Sequence, residues 1–302
     1  MRNTFIKDLV LHARNNEKII LIVGDLGYSV VEPFAEEFPE RFFNSGVAEQ
    51  NMTGMAAGMA SEGYHVFTYS IANFPIFRCA EQIRNDIDYH NLPVTIVSVG
   101  GGLAYGNLGY SHHGVQDFSL IRSMPNMLIA APGDPLETSA CMNYLIENPQ
   151  PSFLRINKAG EPNIHTRRPI ILDGQIQILA NINESNNIIL TTGSILNHIY
   201  EIYNSNKIIQ ENFAIASLPL WGEKVREKIT EQLKPFQHII VIEEHLISGG
   251  FASFIQESGF IVKSLNLDIK ACGEVGHQDF LINKYGISED KLLKVIKKII
   301  KN

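Results

Sequence analysis

Short uninterrupted apolar runs alternate with stretches of helical period along the first half of the chain. Ile19–Val23 holds only Ile, Leu and Val, the pattern of a strand buried on both faces. Residues 66–70, 94–99, 127–131 and 153–156 repeat it. Between them, 49–61, 76–89, 117–123 and 135–147 read as helices. Strand and helix in turn predict a parallel sheet covered by helices. A second series follows, with strands expected at 188–192, 214–218, 239–243 and 262–267 and helices at 195–205, 223–233 and 250–257. Between the two series, residues 158–187 show no clear period and contain Gly160, Pro162, Pro169 and an Asn-rich stretch. This is the expected connection, with one short strand at 175–179. The fold class is therefore α/β, with two doubly wound, mainly parallel sheet domains. They span 1–165 and 187–302, joined by 166–186.

The length of 302 residues gives each domain enough chain for its own core. Hydrophobic residues at 45% and charged residues at 19% fit a folded chain rather than a disordered one. The formal net charge of -7 argues against a nucleic-acid surface, which needs clustered Lys and Arg. The one basic stretch, 291–301, carries Leu292, Leu293, Val295, Ile296, Ile299 and Ile300 at helical spacing. A terminal amphipathic helix explains it better than a membrane-surface role. Cys79, Cys141 and Cys272 suit neither a disulfide framework nor a metal site and are expected as small apolar residues. No run approaches the ~20 apolar residues of a membrane span, and residues 1–10 lack a signal core. The expectation is a cytoplasmic protein.

The chemistry concentrates in Phe43-Asn44-Ser45-Gly46-Val47-Ala48-Glu49-Gln50-Asn51-Met52. Glu49 opens a helix rich in Gly and Ala. A carboxylate there complements the helix dipole, which is reason enough for its presence. The wider string points further. Gly46 to Asn51 resembles the Gly-x-Ala-Glu-Gln signature of the transketolase family. The resemblance continues in order through Glu81-Gln82-Ile83-Arg84-Asn85-Asp86, Asn91-Leu92-Pro93-Val94, Ser111-His112-His113-Gly114-Val115-Gln116-Asp117, Met124-Pro125-Asn126-Met127, Ala131-Pro132-Gly133-Asp134 and Glu243-Glu244-His245.

That resemblance implies a pyrimidine-binding domain followed by a transketolase C-terminal domain, with thiamine diphosphate as cofactor. In this family a buried carboxylate, here Glu49, bonds the pyrimidine N1′ and favours the imino form, whose nitrogen can take the thiazolium proton. Phe74 matches the aromatic that stacks on the ring. Ile71 stands where a second Phe is common. Asp25 belongs to the first loop, near cofactor and subunit interface, and Arg78 is placed on the cofactor side. His112 matches the family histidine facing cofactor and sugar, where an imidazole of ordinary pKa near ~6.5 suits proton transfer. His113 replaces a Gln of that segment and is assigned to the substrate with His112. Arg155 matches an Arg that binds substrate phosphate, and a structural ion pair is an equal reading for it.

Two departures matter. Asn107, Leu108 and Gly100 replace family residues that read the acceptor sugar, so an unusual acceptor is expected, as in a specialised sugar biosynthesis. The Gly-Asp-Gly and downstream Asn that hold diphosphate and Mg²⁺ are not found in this sequence. The resemblance thus implies half of each cofactor site. A separate diphosphate-binding N-terminal subunit would supply the rest and most of the Mg²⁺ ligands, as an α2β2 heterotetramer. The expected activity moves a two-carbon ketol unit between sugars or sugar phosphates. A deoxyxylulose-phosphate-synthase-like subunit, a 2-oxoacid decarboxylating subunit and a non-catalytic scaffold are the alternatives.

Overall fold

The computed structural model describes residues 1–181 and 185–301. It contains a seven-stranded and a five-stranded sheet, both mainly parallel and flanked by helices. The first-sheet strands are β1 (Ile19–Val23), β2 (Phe42–Asn44), β3 (His65–Ile71), β4 (Val94–Val99), β5 (Leu128–Ala130) and β6 (Ser152–Ile156). The second sheet uses β7 (Gln177–Ala180), β8 (Asn187–Thr191), β9 (Ala214–Ser217), β11 (His238–Leu246) and β12 (Val262–Leu267). Every side chain of β1 and β4 is buried, as the continuous apolar runs predict for central parallel strands.

β10 (Leu220–Trp221) crosses over from the second series. It pairs antiparallel with β5, Leu220 opposite Ala130 and Trp221 opposite Ile129, and so completes the first sheet in the order β10-β5-β6-β4-β3-β1-β2. Trp221 is fully buried, lies 5.1 Å from the rings of Phe118, Phe251 and Phe254, and donates its indole N–H to Thr192. One apolar core therefore runs through both halves. The strand expected in the connecting segment is present as β7, the antiparallel edge of the second sheet. Part of 166–186 thus belongs structurally to the second unit, and the Asn-rich residues 182–184 lie outside the described residues.

The continuous helix expected at 76–89 is broken into Phe74–Phe77, Ala80–Gln82 and a π turn at Ile83–Asp88. The widened turn brings buried Asp88 to the backbone N–H of Asn126 at 2.9 Å. Helices Arg2–Ala13 and Gln278–Tyr285 add to those the pattern predicts, and in the first of them Phe5, Ile6, Leu9 and Val10 hold a helical period. The basic terminal helix, Glu289–Ile300, buries Leu292 and Ile296 in the second core. Cys79 and Cys141 are buried, and Cys272 is half-buried.

A buried polar cluster joins the two sheets at Ala131-Pro132-Gly133-Asp134. Asp134 caps the helix Pro135–Glu147, accepting from the Glu137 N–H, with Pro at the first turn. Its other oxygen accepts from Ile164 N–H, His165 N–H and the His165 ring. Burial pushes the Asp134 carboxyl up, yet these bonds outweigh it and leave it below its ordinary value. Glu137, fully buried, accepts from Gly133 N–H and Ser217 Oγ, but burial still lifts its carboxyl to about 7. A raised carboxyl contributes stability that is complete below its unfolded pKa near ~4.3 and lost as pH rises through about 7. Glu137→Gln removes that loss. In denaturant titrations from pH 5 to 8, the variant's stability relative to the parent should climb by up to about 3 kcal/mol. A constant difference across that range would refute the assignment.

Candidate functional site

The C-terminal ends of the parallel strands gather the residues singled out above, as such sheets commonly do. After β1 the chain turns at Gly24-Asp25, where Asp25 adopts φ 55°. Its backbone N–H donates to Asn44 Oδ1, and Asn44 Nδ2 donates back to Asp25 Oδ1 at 3.0 Å. This clasp ties the ends of β1 and β2 together, next to the entry to helix Glu49–Ser61.

Glu49 is the first residue of that helix and is 3% exposed. Both carboxylate oxygens accept from Arg78 Nη1, at 3.1 and 2.9 Å. The carboxylate borders an open hollow of about 470 Å³ lined by Val47, Ala48, Glu49, Gln50, Asn51 and Arg78. The helix turns Met52, Thr53, Ala56, Ala57 and Ala60 inward. Gln50, Asn51, Gly54 and Gly58 are exposed, and an added Cβ at Gly54 or Gly58 would meet nothing within 4 Å.

β3 ends at half-buried Ile71, and Ser98 Oγ donates to the carbonyl of Ala72, held at φ 39°. The bend presents Phe74. The Arg78 guanidinium lies 4.8 Å from the Phe74 ring centroid, and the His112 ring meets Phe74 edge-on at 5.2 Å. Glu49, Arg78, Phe74 and His112 thus form one contiguous group. His112 is half-buried and its Nδ1 lies 3.0 Å from Ser111 Oγ.

His113 and Arg155 stand apart from this group. The His113 ring is fully buried, with Nε2 3.5 Å from the Gly106 carbonyl, and burial lowers its pKa. Its own carbonyl accepts from Asn73 Nδ2. Arg155 is 4% exposed. Its Nε donates to Asp117 at 2.7 Å, and its Nη2 donates to the carbonyls of Gly114 and Glu244 at 2.6 and 3.1 Å. His245 stacks on Phe118 beside this pair, and burial drops its pKa to about 4. Burial lifts Glu244 to about 7, although it accepts from Leu103 N–H and Gln278. A Cβ on Gly102 would lie 2.3 Å from the Glu244 carboxyl carbon, so glycine is required there. Asp117, Glu244 and His245 are visible in the sequence as motif letters, but nothing in it shows that they converge on Arg155.

A buried carboxylate that meets a planar cation, which in turn covers an aromatic face, is also what a protonated aminopyrimidine requires. The guanidinium of Arg78 makes both contacts here, and half of its side chain is exposed, leaving it free to yield. A carboxylate offers about four lone-pair sites, so one N–H donor group does not exhaust Glu49. The residues present therefore fit the pyrimidine half of thiamine diphosphate. Among the described residues, no cluster of three His, Cys, Asp or Glu is placed to hold a metal. Among them also, no helix is long and apolar enough to cross a membrane.

Residues 1–161 match the transketolase pyrimidine binding domain. The chain belongs to the transketolase family. It is 32% identical to the "Putative transketolase C-terminal section" of Methanocaldococcus jannaschii, over 98% of this chain and 95% of that one. It is 29% identical to the second of the subunits of apulose-4-phosphate transketolase from Actinobacillus succinogenes, over 85% and 82%. Among solved structures, a split-gene transketolase described as an inactive β4 tetramer superimposes with a TM-score of 0.82 at 27% identity, over 98% and 96%. Within the family, then, this chain is a β-type transketolase subunit, a thiamine-diphosphate-class transferase chain.

Proposed function

We propose that this subunit, joined to a separate diphosphate-binding subunit, transfers a two-carbon ketol unit between sugars or sugar phosphates. The observation that carries this reading is the buried Glu49 carboxylate facing an open hollow beside Phe74. Thiamine diphosphate, when bound, supplies the carbanion stabilisation needed to break and remake a carbon–carbon bond. Glu49 accepts a hydrogen bond from the ring nitrogen, Arg78 gives way to the ring, and Phe74 packs on its face with Ile71 nearby. His112 holds or moves a proton at a sugar hydroxyl. Asp25 stiffens the loop that meets the partner. Arg155 and His113 shape the wall behind the site.

The partner supplies the diphosphate and Mg²⁺ ligands. The exposed Gly54 and Gly58 let a second backbone approach helix Glu49–Ser61 closely, which favours assembly across this face as α2β2. The β4 relative, inactive by its description, agrees with a need for an unlike partner. The test is to purify this chain with a diphosphate-binding subunit and assay ketose phosphate and pyruvate as donors, with thiamine diphosphate and Mg²⁺. Ketol transfer from the ketose phosphate is expected only when both subunits are present. Preference for pyruvate would favour the deoxyxylulose-phosphate-synthase-like alternative, and full turnover by this chain alone would refute the partner requirement.

A further inference from the structure

Gly100, just past β4, sits at φ +86°, and a Cβ there would lie 2.1 Å from two carbons of the Tyr105 ring. The ring is therefore seated directly on a bare Cα, a position that no side chain at 100 could share. Tyr105 is half-buried, and the loop that carries it is pinned at its base by paired hydrogen bonds between Gly102 and Gly114. The rings of Tyr105 and His112 are 6.5 Å apart and nearly perpendicular, and Lys158 Nζ lies 5.8 Å from the Tyr105 centroid. Glu49, Arg78, Phe74, His112 and Tyr105 thus follow one another in contact order. Glu49 is at the cofactor end of the row and Tyr105 closes the other.

We propose that Tyr105 is a specificity-determining residue, the wall that limits how long an acceptor sugar the site takes. The proposal rests on the ketol-transfer reading. A short aldose phosphate reaching His112 ends at the ring, whereas a longer one has to displace it. The ring has no room to retreat on its Gly100 side, because it already touches the Cα there. A tyrosine wall discriminates by shape, so its removal should act on acceptor binding more than on the chemical step.

The assay uses the complex with its diphosphate-binding subunit, one ketose phosphate donor, and glyceraldehyde 3-phosphate or ribose 5-phosphate as acceptor. The parent should favour the shorter acceptor in kcat/KM. Tyr105→Ala should shift the ratio toward ribose 5-phosphate by about tenfold or more, chiefly through KM, and Tyr105→Phe should leave it within about twofold. Tyr105→Leu, which keeps most of the volume seated on Gly100, should give an intermediate ratio and serves if the alanine variant does not fold. A parent that prefers ribose 5-phosphate, or a ratio unmoved in the alanine or leucine variant, overturns the proposal while leaving ketol transfer intact. A parent complex that transfers no ketol unit to either acceptor overturns both.

Discussion

Glu49→Gln is expected to abolish most turnover of the assembled enzyme, with a loss of at least about a hundredfold in kcat. The exchange keeps size and hydrogen-bonding shape but removes the negative charge. A neutral amide still accepts one bond from the ring nitrogen, yet it gives no charge to favour protonation there, so the reactive tautomer is lost. The fold should tolerate the change. Glu49 contributes its side chain to a single neighbour, Arg78, whose own side chain is half exposed and returns to water at little cost. Melting temperature and affinity for the diphosphate-binding subunit should therefore stay near those of the parent. That pairing of results distinguishes a catalytic carboxylate from a helix-capping one. Retained turnover would remove Glu49 from the chemistry and favour a scaffolding subunit.

Asp117→Asn is expected to destabilise the chain by about 3–5 kcal/mol, because it leaves the Arg155 guanidinium buried without its counter-charge. Arg155 also donates to the carbonyls of Gly114, in the first half, and Glu244, in the second, so the loss should loosen the contact between the two. Combining Asp117→Asn with Arg155→Met should recover part of the loss, since the unpaired charge is then gone. Urea unfolding of the parent, both single variants and the double variant measures this directly. If Arg155 instead binds a substrate phosphate, Arg155→Met would raise KM for phosphorylated acceptors and barely move the unfolding midpoint. That outcome would restore the reading suggested by the family resemblance.

Legibility in the sequence differs from element to element. Ile19–Val23, Val94–Val99 and Pro135–Glu147 are readable to the residue, because a strand buried on both faces must be apolar throughout and a capped helix announces its start. Helix Arg2–Ala13 is short and stands outside the strand–helix alternation, although Phe5, Ile6, Leu9 and Val10 spell it out. The break after Phe77 has no signal beyond Pro75, which is compatible with the start of a helix. In the site, Glu49, Phe74, Arg78 and His112 can be named from an ordered set of motifs, and the structure brings them together. Tyr105 cannot be named that way, because its role depends on which ring fills the space over Gly100.

The sequence alone determined the α/β class, the two series of strands, and the residue types that approach the cofactor ring. These follow from local patterns, where burial on both faces and helix-start chemistry act within a few positions of the chain. Tertiary structure decided the rest. The two-residue strand Leu220–Trp221 joins the far edge of the first sheet, Arg155 turns inward to Asp117, and Tyr105 comes to rest on Gly100. Each of these depends on which distant groups meet after the chain closes. A buried charge takes whatever partner packing brings within hydrogen-bond reach, and a ring takes whatever volume its neighbours leave open.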